Sequence, residues 1–216
     1  MSKVAPKGLE EIKLSEPVRR RLPAYYRALV GLYAEGYLKI SSDQLAEVMG
    51  LAPSQIRTDM SAIGCAGHKG YGYLITEAYK RIGEVMQLND KYRAVAIGDG
   101  ALADAVCQSS LFTKRGVKLI GRFSTPPAEK QDTPTPQGLM PLNELENFCR
   151  NNKIDIMIFA CDGATATQCV RIAEGLGISG IMNFSETDIN SSIIAIRNLH
   201  IEDALMMLCS EIKKDD

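Results

Sequence analysis

Residues 41–64, which read SSDQLAEVMGLAPSQIRTDMSAIG, decide the fold of the N-terminal part of the chain. Ser41 followed three residues later by Gln44 is a capping box, the pattern that begins a helix, and Gly50 is a residue at which helices end. Pro53 suits the first turn of the next helix. Two short helices with so tight a connection, preceded by a third, are typical of a helix-turn-helix.

The flanking segments extend this motif to a winged helix. Upstream, residues 17–35 carry apolar side chains at helical spacing. Because proline is tolerated near a helix start, we expect this helix to begin close to Pro23. Downstream, residues 68–73 read HKGYGY, which favours a β-hairpin wing, and residues 76–88 have a helical pattern. The sequence therefore predicts a winged helix-turn-helix domain over residues 1–88.

The second half of the chain has the pattern of an α/β fold. Residues 94–103 read AVAIGDGALA, which is a short apolar strand, a glycine-rich turn and the start of a helix. Further strands are predicted at residues 117–123, 154–161 and 180–184, helices at 142–151 and 164–176, and a proline-rich loop at 125–141. Strands that alternate with helices indicate a doubly wound parallel sheet. Residues 89–200 are therefore predicted to form a Rossmann-like domain, followed by an amphipathic C-terminal helix at 201–213.

A nucleic-acid surface is predicted on the third helix and the wing. Recognition helices contact bases and phosphates near their N-terminus, where this sequence has Ser54, Gln55, Arg57 and Thr58. Arg57 suits guanine or phosphate and Gln55 suits adenine. The predicted wing adds His68 and Lys69, and a basic cluster upstream adds Arg20 and Arg21. The alternative is that these residues form the ordinary polar face of a small helical domain.

A dinucleotide site is predicted at the glycine-rich turn, because the pattern G-x-G-x-x-A follows a strand and precedes a helix. Its members are Gly98, Asp99, Gly100, Ala101, Leu102 and Ala103. Free N–H groups at such a helix start attract a pyrophosphate, although the carboxylate of Asp99 opposes it. Ser124 stands where the acid that binds the adenine ribose is expected, and Arg122 with Ser124 would suit the 2′-phosphate of NADP(H). The residues leave open whether NAD(H), NADP(H) or neither binds tightly.

Composition limits the other function classes. The chain has 216 residues and a formal net charge of −1, so a DNA surface must be a local patch. Six cysteines without a C-x-x-C pair and only two histidines argue against a metal site. The absence of a long apolar run argues against a membrane span. No catalytic constellation is visible, and we expect a cytoplasmic, non-enzymatic protein with reduced thiols.

Several segments resemble the Rex family of redox-sensing transcriptional repressors. They are residues 21–27 (RLPAYYR), 40–46 (ISSDQLA), 55–59 (QIRTD), 70–73 (GYGY), the glycine turn at Gly98, and 180–184 (GIMNF). The resemblance implies a homodimer that binds a double-stranded DNA operator through winged-helix heads and reads NADH against NAD in a Rossmann-like domain. It also implies that the C-terminal helix, residues 201–216, is exchanged between subunits.

Some positions depart from the family pattern. Among them, Thr58 stands at a usually basic position, Ser124 at a usual aspartate and Ala103 at the third glycine. Two alternatives therefore accompany the prediction of an NADH-sensing repressor. One is a paralogue that binds DNA but has lost or changed dinucleotide sensing, and the other is a nucleotide- or coenzyme A-binding enzyme subunit. The DNA-binding head favours a regulator.

Overall fold

The structure is a computed structural model that describes residues 14–68, 70–124 and 138–212. It divides the chain into two compact units, residues 1–90 and residues 91–216, and each unit is described by itself. The C-terminal helix belongs to the second unit in this division.

The first unit contains four helices and two short strands in its described residues. The helices are α1 (Glu16–Ala34), α2 (Ser42–Met49), α3 (Pro53–Ala62) and α4 (Ile75–Val85), and the strands are β1 (Lys39–Ile40) and β2 (Tyr73–Leu74). The two strands pair antiparallel, with Ile40 opposite Tyr73. The apolar faces of the helices form one core, whose fully buried members include Tyr25, Leu29, Leu45, Ile56 and Ile82. This arrangement is the winged helix-turn-helix that the sequence predicts.

The helix-turn-helix has the helix ends expected from its sequence. The Ser41 hydroxyl accepts a hydrogen bond from the Gln44 N–H at 3.1 Å, and the Gln44 side chain accepts one from the Ser41 N–H at 3.0 Å. These bonds satisfy two N–H groups at the start of α2. Gly50 ends α2 with a φ of 64°, a left-handed conformation that glycine adopts without steric cost. α3 then begins at Pro53.

The prediction that the first helix begins close to Pro23 is wrong, since α1 begins at Glu16 and contains this proline. An internal proline removes a backbone hydrogen bond and crowds the carbonyl one turn before it, at a cost of about 3 kcal/mol. The first two turns of α1 bury Val18 and Leu22, which are 7% and 1% exposed. Burial of two such side chains contributes about 3–6 kcal/mol, which offsets the cost of the proline.

The second unit has a six-stranded parallel sheet. Its strands are β3 (Tyr92–Ile97), β4 (Val117–Ser124), β5 (Leu139–Pro141), β6 (Ile156–Phe159), β7 (Gly180–Asn183) and β8 (Ala195–Asn198). Its helices are α5 (Ala101–Gln108), α6 (Ser110–Lys114), α7 (Leu145–Asn151), α8 (Gly163–Leu176) and α9 (Ile201–Glu211), with a 3₁₀ turn (Leu142–Glu144) before α7. The strand order β5-β4-β3-β6-β7-β8 is that of a Rossmann fold, with the switch point between β3 and β6.

Alternate residues of the central strand β3 pack on opposite faces of the sheet. Ala94 and Ala96 share a core cluster with side chains of α5 and α6, whereas Val95 and Ile97 share one with side chains of α7 and α8. Helices on both faces make the sheet doubly wound, as predicted. The loops that follow β3 and β6 diverge at the switch point, and such loops leave a crevice for a ligand.

Two strands of the second unit were not expected from the sequence. The predicted loop at residues 125–141 extends too far, because Leu139–Pro141 form β5, and β8 lies in a segment without an assigned element. Both are edge strands of three or four residues, too short for an alternation pattern to be recognised. Pro141 is compatible with β5 because an edge strand leaves one row of N–H groups unpaired. Residues 125–137 of the predicted loop lie outside the described residues.

Candidate DNA interface and dinucleotide site

α3 presents three of its predicted DNA-binding side chains to solvent. Ser54, Arg57 and Thr58 are all exposed. The Thr58 hydroxyl donates to the carbonyl of Ser54 at 3.0 Å, and Arg57 Nη1 donates to the hydroxyl of Ser42 at 3.1 Å. Arg57 is thereby held where α2 and α3 meet, on the part of a recognition helix that contacts DNA.

Gln55 and Arg21 occupy a different environment from the one predicted. Both bind the carboxylate of Asp59, which has no exposed surface. Arg21 donates through Nε at 2.7 Å and Nη2 at 2.9 Å, Gln55 through Nε2 at 2.7 Å, and the Tyr25 hydroxyl donates at 2.8 Å. A buried charge has to be paired and hydrogen-bonded. DNA contacts of Gln55 and Arg21 stay a prediction, and in this structure both side chains are bonded to the buried carboxylate of Asp59.

Hydrogen bonding keeps Asp59 ionised. Burial alone would raise its pKa, but the donors of Arg21, Tyr25 and Gln55 outweigh burial and hold the pKa below the ordinary value of 3.8. Burial and the bond to Asp59 raise the pKa of Tyr25. No sequence pattern indicates this network, because its two charged members are 38 residues apart.

Arg20 is the other predicted member of the basic cluster, and it points to solvent. It pairs with Glu16, one turn earlier in α1, at 3.2 Å, and both side chains are exposed. Exposed pairs of this kind contribute little to stability. The guanidinium of Arg20 can therefore exchange its partner for a phosphate at small cost.

The wing is a short hairpin closed by backbone hydrogen bonds. The His68 N–H donates to the Gly72 carbonyl at 2.7 Å, and the Gly72 N–H donates to the His68 carbonyl at 3.0 Å. Gly72 has a φ of 70°, and a Cβ there would lie 2.2 Å from the carbonyl oxygen of Ile40. Only glycine fits where the wing meets β1. His68 is exposed, and Lys69, the other predicted wing residue, lies outside the described residues.

Two further side chains of this surface were missed by sequence reasoning. Tyr71 on the wing is 70% exposed, and the Nζ atom of Lys39 on β1 lies 4.8 Å from the centroid of its ring. Lys39 belongs to no recognisable motif. Only the pairing of β1 with β2 brings it beside the wing.

The glycine-rich turn lies at the switch point of the sheet, between β3 and α5. Gly98 has a φ of 138°, and a Cβ there would lie 2.1 Å from the carbonyl oxygen of Ala160 and 3.3 Å from the Cβ of Ala103. Glycine is therefore required at the first position of this turn, which is the position that dinucleotide-binding turns reserve for the tight bend. Gly100 immediately precedes α5, and a Cβ there would meet no atom within 4 Å. A ligand therefore has an open approach to the N–H groups at the start of α5.

The other members of the turn have different surroundings. Ala101 is exposed, Leu102 is half-buried in the core cluster that includes α5, and Ala103 is fully buried. Asp99 is half-buried. Burial raises the pKa of the Cys161 thiol to about 12, and the charge of Asp99 contributes to this shift.

The guanidinium of Arg122 is bonded within the second unit. The residue is 1% exposed, its Nε donates to the carbonyl of Gly98 at 2.9 Å, and its Nη1 pairs with Asp104 of α5. Ser124 is buried as well. The phosphate site at Arg122 and Ser124 stays a prediction, and in this structure Arg122 fastens the glycine turn to β4 and α5. Its Nη2 is buried without a partner among the residues that the structure describes.

The buried thiols have raised pKa values, and the described acidic groups do not form a metal site. Burial raises the pKa of Cys149 to about 11 and that of Cys169 to about 12, and thiols with such pKa values are protonated and unreactive at neutral pH. Within residues 14–68, 70–124 and 138–212, no three His, Cys, Asp or Glu side chains come together in a way that could hold a metal ion. In the same ranges, no helix combines the length and apolarity needed to span a membrane.

Comparison with known proteins assigns the family. Residues 13–61 match a family model described as "Putative DNA-binding protein N-terminus". Over 202 residues the chain is 33% identical to the redox-sensing transcriptional repressor Rex of Thermotoga petrophila, an alignment that covers 93% of this chain and 96% of that protein. The chain belongs to the Rex family.

Solved structures of a Rex-family repressor, RSP, have the same fold as this Rex chain. RSP in complex with beta-NAD+ and operator DNA superposes with a TM-score of 0.84 at 32% identity, over 91% of each chain. RSP in complex with beta-NADH superposes with a TM-score of 0.81 at 31% identity, over 91% of this chain and 93% of that one.

The C-terminal helix of this Rex chain is exposed along its whole described length. Its apolar side chains include Ile201, Leu205, Met206 and Leu208, which are 61%, 60%, 60% and 52% exposed. Exposed apolar side chains in such number are typical of surfaces that contact another molecule.

Proposed function

We propose that this chain is a DNA-binding transcriptional repressor that senses the NADH/NAD state through its Rossmann-like domain and acts as a homodimer on double-stranded operator DNA. The observation that carries the proposal is that one Rex-family chain combines an exposed recognition helix with a glycine-rich turn whose first residue, Gly98, has no room for a side chain. The helix supplies a surface for DNA, and the turn supplies a cradle for a pyrophosphate.

Two features of the second unit suit NAD(H). Gly98 requires glycine because it lies against the carbonyl of Ala160, directly after β6, and Gly100 at the start of α5 is exposed and has no atom within 4 Å of the position of a Cβ. When bound, NAD(H) supplies the nicotinamide whose redox state is sensed.

Binding of NADP(H) is less well supported, because it depends on Arg122 as the partner of the 2′-phosphate. The guanidinium of Arg122 is buried and paired with Asp104. A 2′-phosphate would have to break this pair before it could bind the cation, and breaking a buried pair is strongly unfavourable. We therefore place NAD(H) ahead of NADP(H).

A second copy of the chain is the partner that best fits α9. The helix needs an apolar surface, and Met182 and Phe184 on one face of the sheet remain only half-buried. Exchange of α9 between two identical subunits covers an apolar stripe without a separate partner protein. This supports the homodimer with swapped C-terminal helices.

We infer that the protein regulates rather than catalyses, and that it acts in the cytoplasm, where a repressor reaches its DNA. The similar protein of Thermotoga petrophila is named a transcriptional repressor. His68 lies on the wing, and His200 precedes α9 and bonds Asp188 at 2.9 Å. Neither belongs to the glycine turn.

Fluorescence anisotropy with the operator duplex of the RSP complex tests the proposal. The chain should bind this duplex about 10³-fold or more tightly than a scrambled duplex of equal length. NADH should release the operator at concentrations at which NAD+, NADP+ and NADPH do not. Equal affinity for both duplexes contradicts the repressor assignment. Specific binding that ignores all four dinucleotides contradicts the sensing part alone and supports the paralogue.

A further inference from the structure

A groove of about 550 Å³ lies on the first unit, between the wing, the start of α2 and the recognition helix. Its lining includes Lys39, Arg57, His68 and Tyr71. Asp43 is the acidic residue among the described lining residues, and its carboxylate accepts a weak hydrogen bond from the Ser42 hydroxyl at 3.4 Å. With Lys39 and Arg57 both charged, the described part of the groove carries a net positive charge.

The ammonium of Lys39 is held in this groove by an aromatic ring. Its Nζ lies 4.8 Å from the centroid of Tyr71, within the distance at which a cation is attracted to the face of a ring. The backbone of β1 fixes the base of the side chain, because Lys39 pairs with Leu74 of β2. Among the residues that the structure describes, no carboxylate forms an ion pair with Lys39.

We propose that Lys39 is a phosphate-contacting residue of the DNA interface and that Tyr71 is the positioning residue that holds its ammonium in the groove. The inference rests on the proposed DNA-binding function. A cation that is exposed, lacks a carboxylate partner and lies beside the recognition helix has the chemistry of a phosphate contact. Tyr71 acts through Lys39 rather than on the DNA.

Tyr71 adds to affinity by ordering a flexible side chain before DNA arrives. Lysine is a point charge on a four-carbon stem with many rotamers, and fixing such a side chain at an interface costs about 0.5–1.5 kcal/mol. The ring restricts the ammonium to one region of the groove in the free protein. Part of the conformational entropy of the Lys39 side chain is therefore already lost when the protein folds, and DNA binding costs less.

Salt titrations of DNA affinity test the two roles. Lys39→Met retains most of the stem and removes the charge, so the slope of log affinity against log salt should fall in magnitude by about 0.9. Binding should weaken to the RSP operator duplex and to a scrambled duplex alike, because phosphates carry no sequence information. Lys39→Arg should keep the slope. Lys118→Met, which removes an exposed lysine of the second unit, serves as the matched control and should leave the slope unchanged.

Substitutions of Tyr71 test the positioning role. Tyr71→Phe keeps the ring and should bind like the wild type, whereas Tyr71→Leu should weaken binding about two- to fivefold. In a Lys39→Met background, Tyr71→Leu should cause no further loss. Both side chains are exposed, so thermal unfolding of every variant should match the wild type.

The results that overturn the inference differ from those that overturn the proposed function. An unchanged salt slope in Lys39→Met refutes the phosphate contact. If Tyr71→Leu lowers DNA affinity as much in the Lys39→Met background as it does in the wild type, the positioning role is refuted. In both cases wild-type binding to the operator still stands. If the wild type binds neither duplex, the proposed function and this inference both fail.

Discussion

Arg21→Ala should destabilise the first unit without removing a phosphate contact. Arg21 makes two hydrogen bonds, at 2.7 and 2.9 Å, to the carboxylate of Asp59, which has no exposed surface. Removing one partner of a buried ion pair costs about 3–5 kcal/mol. The Arg21 side chain is itself 28% exposed, so water that enters the vacated space recovers part of this loss. We expect the free energy of unfolding to fall by about 2–3 kcal/mol.

Arg20→Ala is the matched control, since it removes a neighbouring guanidinium whose ion pair is exposed. Its free energy of unfolding should change by less than about 0.5 kcal/mol. Circular dichroism on heating should show a Tm of the first unit lowered by roughly 10 °C or more in Arg21→Ala. Hydrogen exchange by mass spectrometry should then show lost protection in α1 and α3 but not in β3 or β6.

DNA binding separates this structural role from the one that the sequence suggests. At a temperature where both variants are folded, Arg21→Ala should keep the wild-type salt slope. If Arg21 contacts a phosphate instead, its slope should fall in magnitude by about 0.9 while stability stays at the wild-type value. That combination would refute the assignment of Arg21 to the core.

Acid should remove the same stabilisation. The folded protein holds the pKa of Asp59 below its ordinary value of 3.8. A carboxyl group with a lowered pKa stabilises the folded state above the unfolded pKa, and this contribution is lost as the pH falls through the folded pKa. The free energy of unfolding should therefore decrease below about pH 4. Asp59→Asn should flatten this part of the profile, and an unaltered profile would contradict the reasoning.

Four other predictions test the remaining parts of the molecule. Arg57→Ala should weaken operator binding by about 1–3 kcal/mol and relax the preference at one base pair; equal loss on a scrambled duplex would indicate a phosphate contact instead. Gly98→Ala should abolish NADH binding in calorimetry, since its Cβ would lie 2.1 Å from a carbonyl oxygen, and retained affinity would exclude this turn as the cradle. Asp188→Asn should lower the pKa of His200, which its hydrogen bond to Asp188 raises, and an NMR titration of the His200 ring checks this; in the wild type the charged pair is lost as the pH rises through this pKa. Deletion of residues 201–216 should leave monomers or aggregates in sedimentation, and an intact dimer would count against the swapped helix.

Local sequence patterns predict the secondary-structure elements beside the candidate DNA interface and the candidate dinucleotide site. The capping box at Ser41 and the helix end at Gly50 depend on residues within one turn, so they can be read without knowledge of the fold. The glycine turn at Gly98 follows a buried strand, and that context gives the pattern its meaning. The alternation of strands and helices likewise predicts a doubly wound sheet, because parallel strands need crossover connections.

Long-range contacts decided which of the candidate side chains remain available. The sequence could not show that Arg21 binds Asp59, or that Arg122 lies buried against Gly98 and Asp104. An arginine side chain looks the same in sequence whether it faces DNA, a ligand or a buried carboxylate. The partners of these two arginines come from distant parts of the chain, and their positions exist only after the helices and strands have packed.

The sequence by itself determined the two kinds of domain in this protein. It also determined the helix-turn-helix and the glycine turn, because each of these depends on the conformational preferences of a few neighbouring residues. Only the tertiary structure decided that α1 continues through Pro23, that β5 and β8 complete the sheet, and that Lys39 lies over Tyr71. In each of these cases, burial or pairing with a distant segment outweighs or supplements a weak local preference. The free energy of this burial and pairing depends on residues that are neighbours in the folded protein but not in the sequence.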